Sequence, residues 1–237
     1  MILLTAATPW EVGPIAHSLG LRRNPEAGFI HNGRVMHEDI VLLKTGMGAA
    51  STMASLKNAA PWLSNPLTAA ISTGFAGALQ AGLASGDIVA DLHGAPESYT
   101  DCARSAADRL RSELHLGRII SSSQVVAEPA RKRALGDEKR AAAVDMESDA
   151  LRSWAQECGT TAVSVRVILD EIEHRIPTDI PVSAALPDIL RYAASHFRDL
   201  PLLLRLALAQ RRGGRILGAY LLEFINRLAG DRHEQKT

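Results

Sequence analysis

The chain has 237 residues, 46% of them hydrophobic and 22% charged, with 26 lysines and arginines against 26 aspartates and glutamates. That is ample for one sizeable core and fits a single α/β domain. The zero net charge argues against a dedicated nucleic-acid binder, and only 4% aromatic residues argues against a base-stacking platform for single strands.

The first residues, "MILLTAATPWEV", lack a basic leader region and read as a buried strand followed by a helix with Pro9 near its start. "GFIHNGRVMHEDIVLLKTG" predicts a hairpin turning at Asn32-Gly33 and then a further strand. "GAASTMASLKNAAPWL" predicts a helix opened by Gly46 and Gly48, and "LTAAISTGFAGAL" a strand that runs into a glycine-rich turn. "SGDIVADL" is a strand, "DCARSAADRLRSEL" a helix, "HLGRIISSSQVVA" a strand and "EPARKRALG" a helix. "AAAVDMESDALRSWAQECG" is a strand end feeding a helix, and "TTAVSVRVILDEI" a β-branched strand. Strands alternating with helices predict an α/β fold with a largely parallel sheet. No apolar run is long enough to span a membrane. Cys102 and Cys158 belong to no CxxC, which predicts two reduced thiols in a cytoplasmic protein. The histidines show no ligand spacing, so neither a metal nor another cofactor is expected.

In such sheets ligands bind beyond the carboxyl ends of the strands. The polar residues there are Glu11, Thr45-Gly46, the run Thr73–Gly77, Asp145-Met146-Glu147 and Asp170. Carboxylates repeated at strand ends suggest a polar-lined pocket, because burying them unpaired is costly. The competing reading is that Glu11, Asp145 or Glu147 simply serves the positive end of a helix.

Four segments in order resemble the purine nucleoside phosphorylase and nucleosidase superfamily, above all its methylthioadenosine/S-adenosylhomocysteine nucleosidase branch. They are "TAATPWEV", "LKTGMGAAS", "ISTGFAGALQAGLASGDIV", and "AVDMESDAL" with "VSVRVILDEIE". The resemblance covers residues 1–195 and implies one nucleoside phosphorylase-like domain, a twisted mixed β-sheet flanked by helices. It implies cleavage of an N-glycosidic bond in a 5′-substituted purine nucleoside; the alternatives are a methylthioadenosine/S-adenosylhomocysteine nucleosidase, a futalosine hydrolase, a phosphate-dependent phosphorylase, or a non-catalytic nucleoside-binding protein on the same fold. That reaction needs an acid for N7 of the departing base and a nucleophile at the anomeric carbon.

On this resemblance Asp170 is the acid and Glu11 holds the attacking water. Glu147 accepts hydrogen bonds from the ribose diol, and Met146 packs on the sugar. Asp145 stands where the family more often has glutamate. Gly77, Phe75 and the backbone near Val125 and Val126 are expected around the base, with Phe75 either stacking or belonging to the core. Thr45 and Gly46 lie in the loop with backbone donors. Phosphate as nucleophile would need arginines nearby, and "ATPWEV" carries none. Arg22 and Arg23 come later, and Arg166 lies on the last strand, so water is favoured over phosphate.

Residues 196–237 read as a helical C-terminal extension, with leucines at helical spacing among Arg198, Arg205, Arg211, Arg212, Arg215 and Arg227. Gly213-Gly214 is expected to break it into two amphipathic helices. These would pack on the domain or a second subunit, or rest on an anionic membrane surface. Such a tail is similar to that of the superfamily's hopanoid-associated branch, which implies adenosylhopane as a candidate substrate. The superfamily also implies a homodimer.

Overall fold

A computed structural model describes residues 1–63, 65–175 and 200–234, with the side chains of the last stretch described from 207 to 231. In chain order the elements are β1 (Ile2–Ala6), α1 (Pro9–Ser18), β2 (Arg22–Arg23), β3 (Ile30–Val35), β4 (Glu38–Lys44) and α2 (Ala49–Ala59). There follow β5 (Ala69–Ala78), β6 (Ile88–Asp91), α3 (Glu97–Leu110), β7 (Leu114–Leu116), β8 (Ile119–Ser121) and α4 (Pro129–Lys139). The last are β9 (Ala143–Asp145), α5 (Ser148–Glu157), β10 (Ala162–Asp170) and α6 (Leu200–Glu234).

The strands form one mixed sheet in the order β2-β3-β4-β1-β5-β10-β6-β7, with β8 and β9 pairing off its centre through β5. β4, β1, β5 and β10 run parallel to one another. Their carboxyl ends therefore open at one edge. β1 is buried along its whole length, because helices cover both faces of the sheet. Ile2, Leu4 and Ala6 point into a core built with α1, α3 and α6. Leu3, between them, points into the opposite core with Leu56 of α2 and Leu151 of α5. This is the period-two alternation of a strand with two buried faces.

Three local expectations need correction. The hairpin turns at Met36-His37, since Val35 pairs with Glu38, and Asn32-Gly33 lie within β3. Burial of Ile30 and Val35 at the two ends of β3 fixes that register, and Met36 takes the positive φ that the tight turn demands. The glycine-rich run after Thr73 is not a turn either. It continues β5 through Ala78, paired with β10 as far as Gly77.

Most plainly, Gly213-Gly214 does not break the C-terminal segment, which is one helix from Leu200 to Glu234. The glycines are contact points. A Cβ on Gly213 would come 3.3 Å from Phe75 and Val167, one on Gly214 2.9 Å from Pro14, and one on Gly218 2.5 Å from Ser18 Oγ. The bare face lets α6 sit directly on α1, and the packing outweighs glycine's poor helix propensity. Beyond it Leu217, Tyr220, Leu221, Phe224, Ile225 and Leu228 are buried in the core shared with α1 and α3. Tyr220 donates to the carbonyl of Ala103 at 3.1 Å. This apolar face is thus turned to the protein. No helix among the described residues is long and apolar enough to cross a membrane. The boundary expected at 195/196, Arg198 and the side chain of Arg205 lie outside the described residues.

Candidate active site

Glu11 sits in the first turn of α1, at the carboxyl end of β1. One oxygen accepts from the backbone N–H and hydroxyl of Thr8, at 2.7 and 2.8 Å, as in a capping box. The other accepts from the backbone N–H of Phe75 at 2.9 Å. The helix-cap reading and the site reading therefore hold together: the cap fixes the carboxylate, and the fixed carboxylate faces β5. Gly74 makes that approach possible, because a Cβ there would collide with Glu11 Oε1.

Arg166, on β10, is 1% exposed. Its Nε and Nη2 donate to Asp145 Oδ2 at 2.8 and 2.6 Å, and Nη2 also reaches Ser72 Oγ at 2.7 Å. Among the described residues its Nη1 is buried without a hydrogen-bond partner, and it lies 3.5 Å from where a Gly74 Cβ would be. An unpartnered buried guanidinium N–H calls for an acceptor oxygen. Here it is placed beside Glu11.

Asp145 is fully engaged. Oδ1 takes Ser121 Oγ at 2.7 Å and the N–H groups of Glu147 and Ser148 at 3.3 and 3.2 Å; Oδ2 takes the Ser148 hydroxyl and Arg166. Burial alone would push its pKa up, but Arg166 and the hydroxyls outweigh it and hold the carboxyl below the usual range. Asp145 was expected among the substrate-binding residues. Its contacts within the chain go to Ser121, the start of α5 and Arg166. Because Asp145 does the capping, Glu147 keeps a freer carboxylate. One oxygen accepts from the N–H of Gly48 at 2.8 Å, at the N-terminus of α2. Burial pushes its pKa up, with Arg166 opposing and Asp145 and Glu11 adding to the rise. Met146 is half-buried next to it.

Asp170 ends β10, where a bulge skips Leu169 and sets Asp170 opposite Gly77. A Cβ on Gly77 would lie 3.1 Å from Asp170 Oδ2. Burial raises the pKa of Asp170, and the ammonium of Lys132 at 2.5 Å opposes the rise. Gly74 and Gly77 are three residues apart on β5, roughly 10 Å of strand. Glu11 and Asp170 thus flank one short stretch of backbone, an acid at each end.

The other expected residues divide. The hydroxyl of Thr45 donates to the carbonyl of Gly46 at 2.9 Å, and Gly46 N–H is held by Ala7 at 3.0 Å, so this loop is tied to the end of β1. Gly48 is the member that reaches an acid. The Phe75 ring packs against the first core and Gly213 of α6, and only its N–H joins Glu11. Val125 is 47% exposed, whereas Val126 packs on Leu79, Ile120, Ala141 and Val144. Arg22 and Arg23 are exposed on the edge strand β2. Lys132 and the Ser72, Ser121 and Ser148 hydroxyls went unforeseen. "EPARKRALG" reads as a solvated helix, and only the buried i, i+4 pair Lys132 and Gly136 distinguishes one face. Among the described residues no group of three or more His, Cys, Asp or Glu side chains could hold a metal ion.

A mixed sheet with a parallel centre, helices on both faces, and buried carboxylates against the glycines of its central strand define an α/β protein. The family model of the Phosphorylase superfamily matches residues 1–90 and 94–191, and the chain belongs to that superfamily. No curated protein matches the chain. Among solved structures it is similar to S. pneumoniae 5′-methylthioadenosine/S-adenosylhomocysteine nucleosidase, with a TM-score of 0.72 at 20% identity over 96% of this chain and 99% of that one. It is also similar to Helicobacter pylori futalosine hydrolase, with a TM-score of 0.71 at 18% identity over 95% and 97%. For the Campylobacter jejuni nucleosidase the TM-score is 0.70 at 15% identity over 95% and 98%.

Proposed function

We propose that the protein hydrolyses the N-glycosidic bond of a 5′-substituted purine nucleoside and releases the free base. The observation that supports this best is the pair of buried acids at the two ends of the Gly74–Gly77 stretch. Splitting a glycoside into base and sugar needs one group to protonate the leaving side and another to direct water to the opposite face of the sugar. Asp170, its pKa raised by burial, is suited to carry the proton to N7 of the base. Glu11, an acceptor held rigidly by Thr8 and Phe75, is suited to orient water, with Arg166 Nη1 as the donor to the same oxygen. Glu147 beside Met146 offers a carboxylate to a vicinal diol. Once the C1′–N9 bond parts, its electron pair stays with the base and water closes on C1′.

Water is favoured over phosphate on electrostatic grounds. A phosphate dianion would meet Glu11 and Glu147 in the same cleft and would find one arginine, whose other nitrogens Asp145 and Ser72 already occupy. Structural likeness to a futalosine hydrolase and to methylthioadenosine/S-adenosylhomocysteine nucleosidases supports small 5′-substituted nucleosides. The lipid-linked adenosylhopane finds no such support.

The test is base release from a panel of 5′-substituted adenosines and inosines, a lipid-linked one included, with and without phosphate. Phosphate-independent release is expected, and Asp170→Asn should lower turnover about 10²–10⁴-fold while leaving nucleoside binding in place. Strict dependence on phosphate would replace hydrolysis by phosphorolysis. Full activity of Asp170→Asn would remove the acid and with it the mechanism.

A further inference from the structure

Lys132 is fully buried on α4, a helix whose neighbouring residues Arg131, Arg133 and Ala134 face solvent. A lysine is seldom enclosed unless paired. Here its ammonium donates to Asp170 Oδ2 at 2.5 Å, to the Glu171 carbonyl at 2.9 Å and to the His174 carbonyl at 2.8 Å. These three contacts use all the protons of an ammonium group. Two further ion pairs fasten α4 to the same segment: Glu128 with Arg175 at 2.7 Å, and Arg133 with Glu173. Two side chains of α4 and that of its N-cap residue Glu128 thus grip the segment 170–175 that begins with the candidate acid.

We infer that Lys132 is a positioning residue for base release, holding the Asp170 carboxyl against Gly77 and staying paired with the carboxylate that remains once the proton has gone. This rests on the hydrolase reading above. The Asp170 O–H bond breaks as N7–H forms, and the C1′–N9 pair goes to the base. The carboxylate then keeps Lys132 as its counter-ion; Glu11 takes the proton that the attacking water loses and passes it to solvent, and solvent returns one to Asp170. Lys132 gives up no proton of its own.

The groups facing Asp170 are Lys132 from α4 and His174 from its own segment, while the Glu171 carboxylate is turned to the N–H of Ser85. Burial pushes Asp170 up and Lys132 pulls it down. Without the cation, burial acts with less opposition, so the acid becomes weaker and keeps its proton to higher pH.

The experiment measures pH profiles of kcat/KM for wild type, Lys132→Met and Lys132→Gln on the best purine nucleoside, and on 4-nitrophenyl β-D-riboside, whose leaving group needs no proton. In both variants the alkaline limb should move up by about 1–3 pH units. The ratio of purine to nitrophenyl rates should fall about tenfold or more. An unmoved limb with an unchanged ratio overturns the inference. So does equal loss of both substrates in both variants, failure to fold included, because the lysine would then be structural only. Asp170→Asn is assayed alongside: if it keeps full nucleoside activity, the hydrolase reading itself fails, which separates the two outcomes.

Discussion

Replacing Arg166 by methionine keeps much of the side-chain volume and removes the charge. In the wild type the guanidinium donates twice to Asp145 Oδ2 and once each to Ser72 and Ser148, and both ion-pair side chains are at most 1% exposed. Removing one partner of such a pair leaves an uncompensated buried carboxylate and costs about 3–5 kcal/mol. The pH dependence gives the sign. In the wild type Asp145 is held below the ordinary carboxylate value, so its contribution is present above pH of about 4 and is lost as pH falls through its depressed folded value. In the variant burial no longer has Arg166 against it, and Asp145 moves above the ordinary value. Glu147, which Arg166 also lowers, moves the same way. The deficit relative to wild type should therefore be largest near neutral pH. It should shrink on acidification by up to about 1.4 kcal/mol per pH unit for each carboxyl that picks up a proton on the way. Urea unfolding of the two proteins between pH 7 and pH 5 measures this, and Asp145→Asn added to the variant should recover part of the loss at pH 7. A deficit under about 1 kcal/mol, or one that grows as the pH falls, would refute the account of Asp145 and Arg166.

On the proposed function, in which Glu147 receives the ribose diol, Glu147→Gln replaces a charged acceptor with a neutral amide. A hydrogen bond to a charged group contributes about 1.5–3 kcal/mol, so KM should rise roughly 10- to 100-fold in steady-state assays. The glycines of α6 separate by environment. Gly230→Ala meets nothing within 4 Å and should raise stability by about 1 kcal/mol through helix propensity. Gly218→Ala places a Cβ 2.5 Å from Ser18 Oγ and 2.9 Å from the Pro14 carbonyl, so overpacking should outweigh the same gain and lower Tm in thermal unfolding followed by circular dichroism.

The apolar runs and strand-end acids were legible because they are local signals: "ILLTA" and "AVSVRVILD" are β1 and β10 almost as quoted. Glu11 lies just past β1, Glu147 just past β9, and Asp170 closes β10, so the strand-end pattern located all three acids. What the sequence hid depends on partners far along the chain. Asn32-Gly33 is a strong turn signal, yet burial of Ile30 and Val35 overrode it. Gly213-Gly214 looked like a break because the surfaces of Pro14, Phe75 and Val167 that need bare backbone lie elsewhere in the sequence. Lys132, amid arginines and acids, gives no local hint that Asp170, 38 positions on, will enclose it.

The seat of α6 on α1 also bears on the order in which the protein can be finished. Gly214 backs onto Pro14 and the carbonyl of Trp10, and Gly218 onto Pro14 and Ser18, within and just beyond the turn that carries Glu11. Glu11 leaves the ribosome about 200 positions before the helix that braces its turn. Domains fold as units during synthesis, and contacts of high sequence separation come late. A nascent chain thus carries Glu11 long before α6 can brace the helix that bears it.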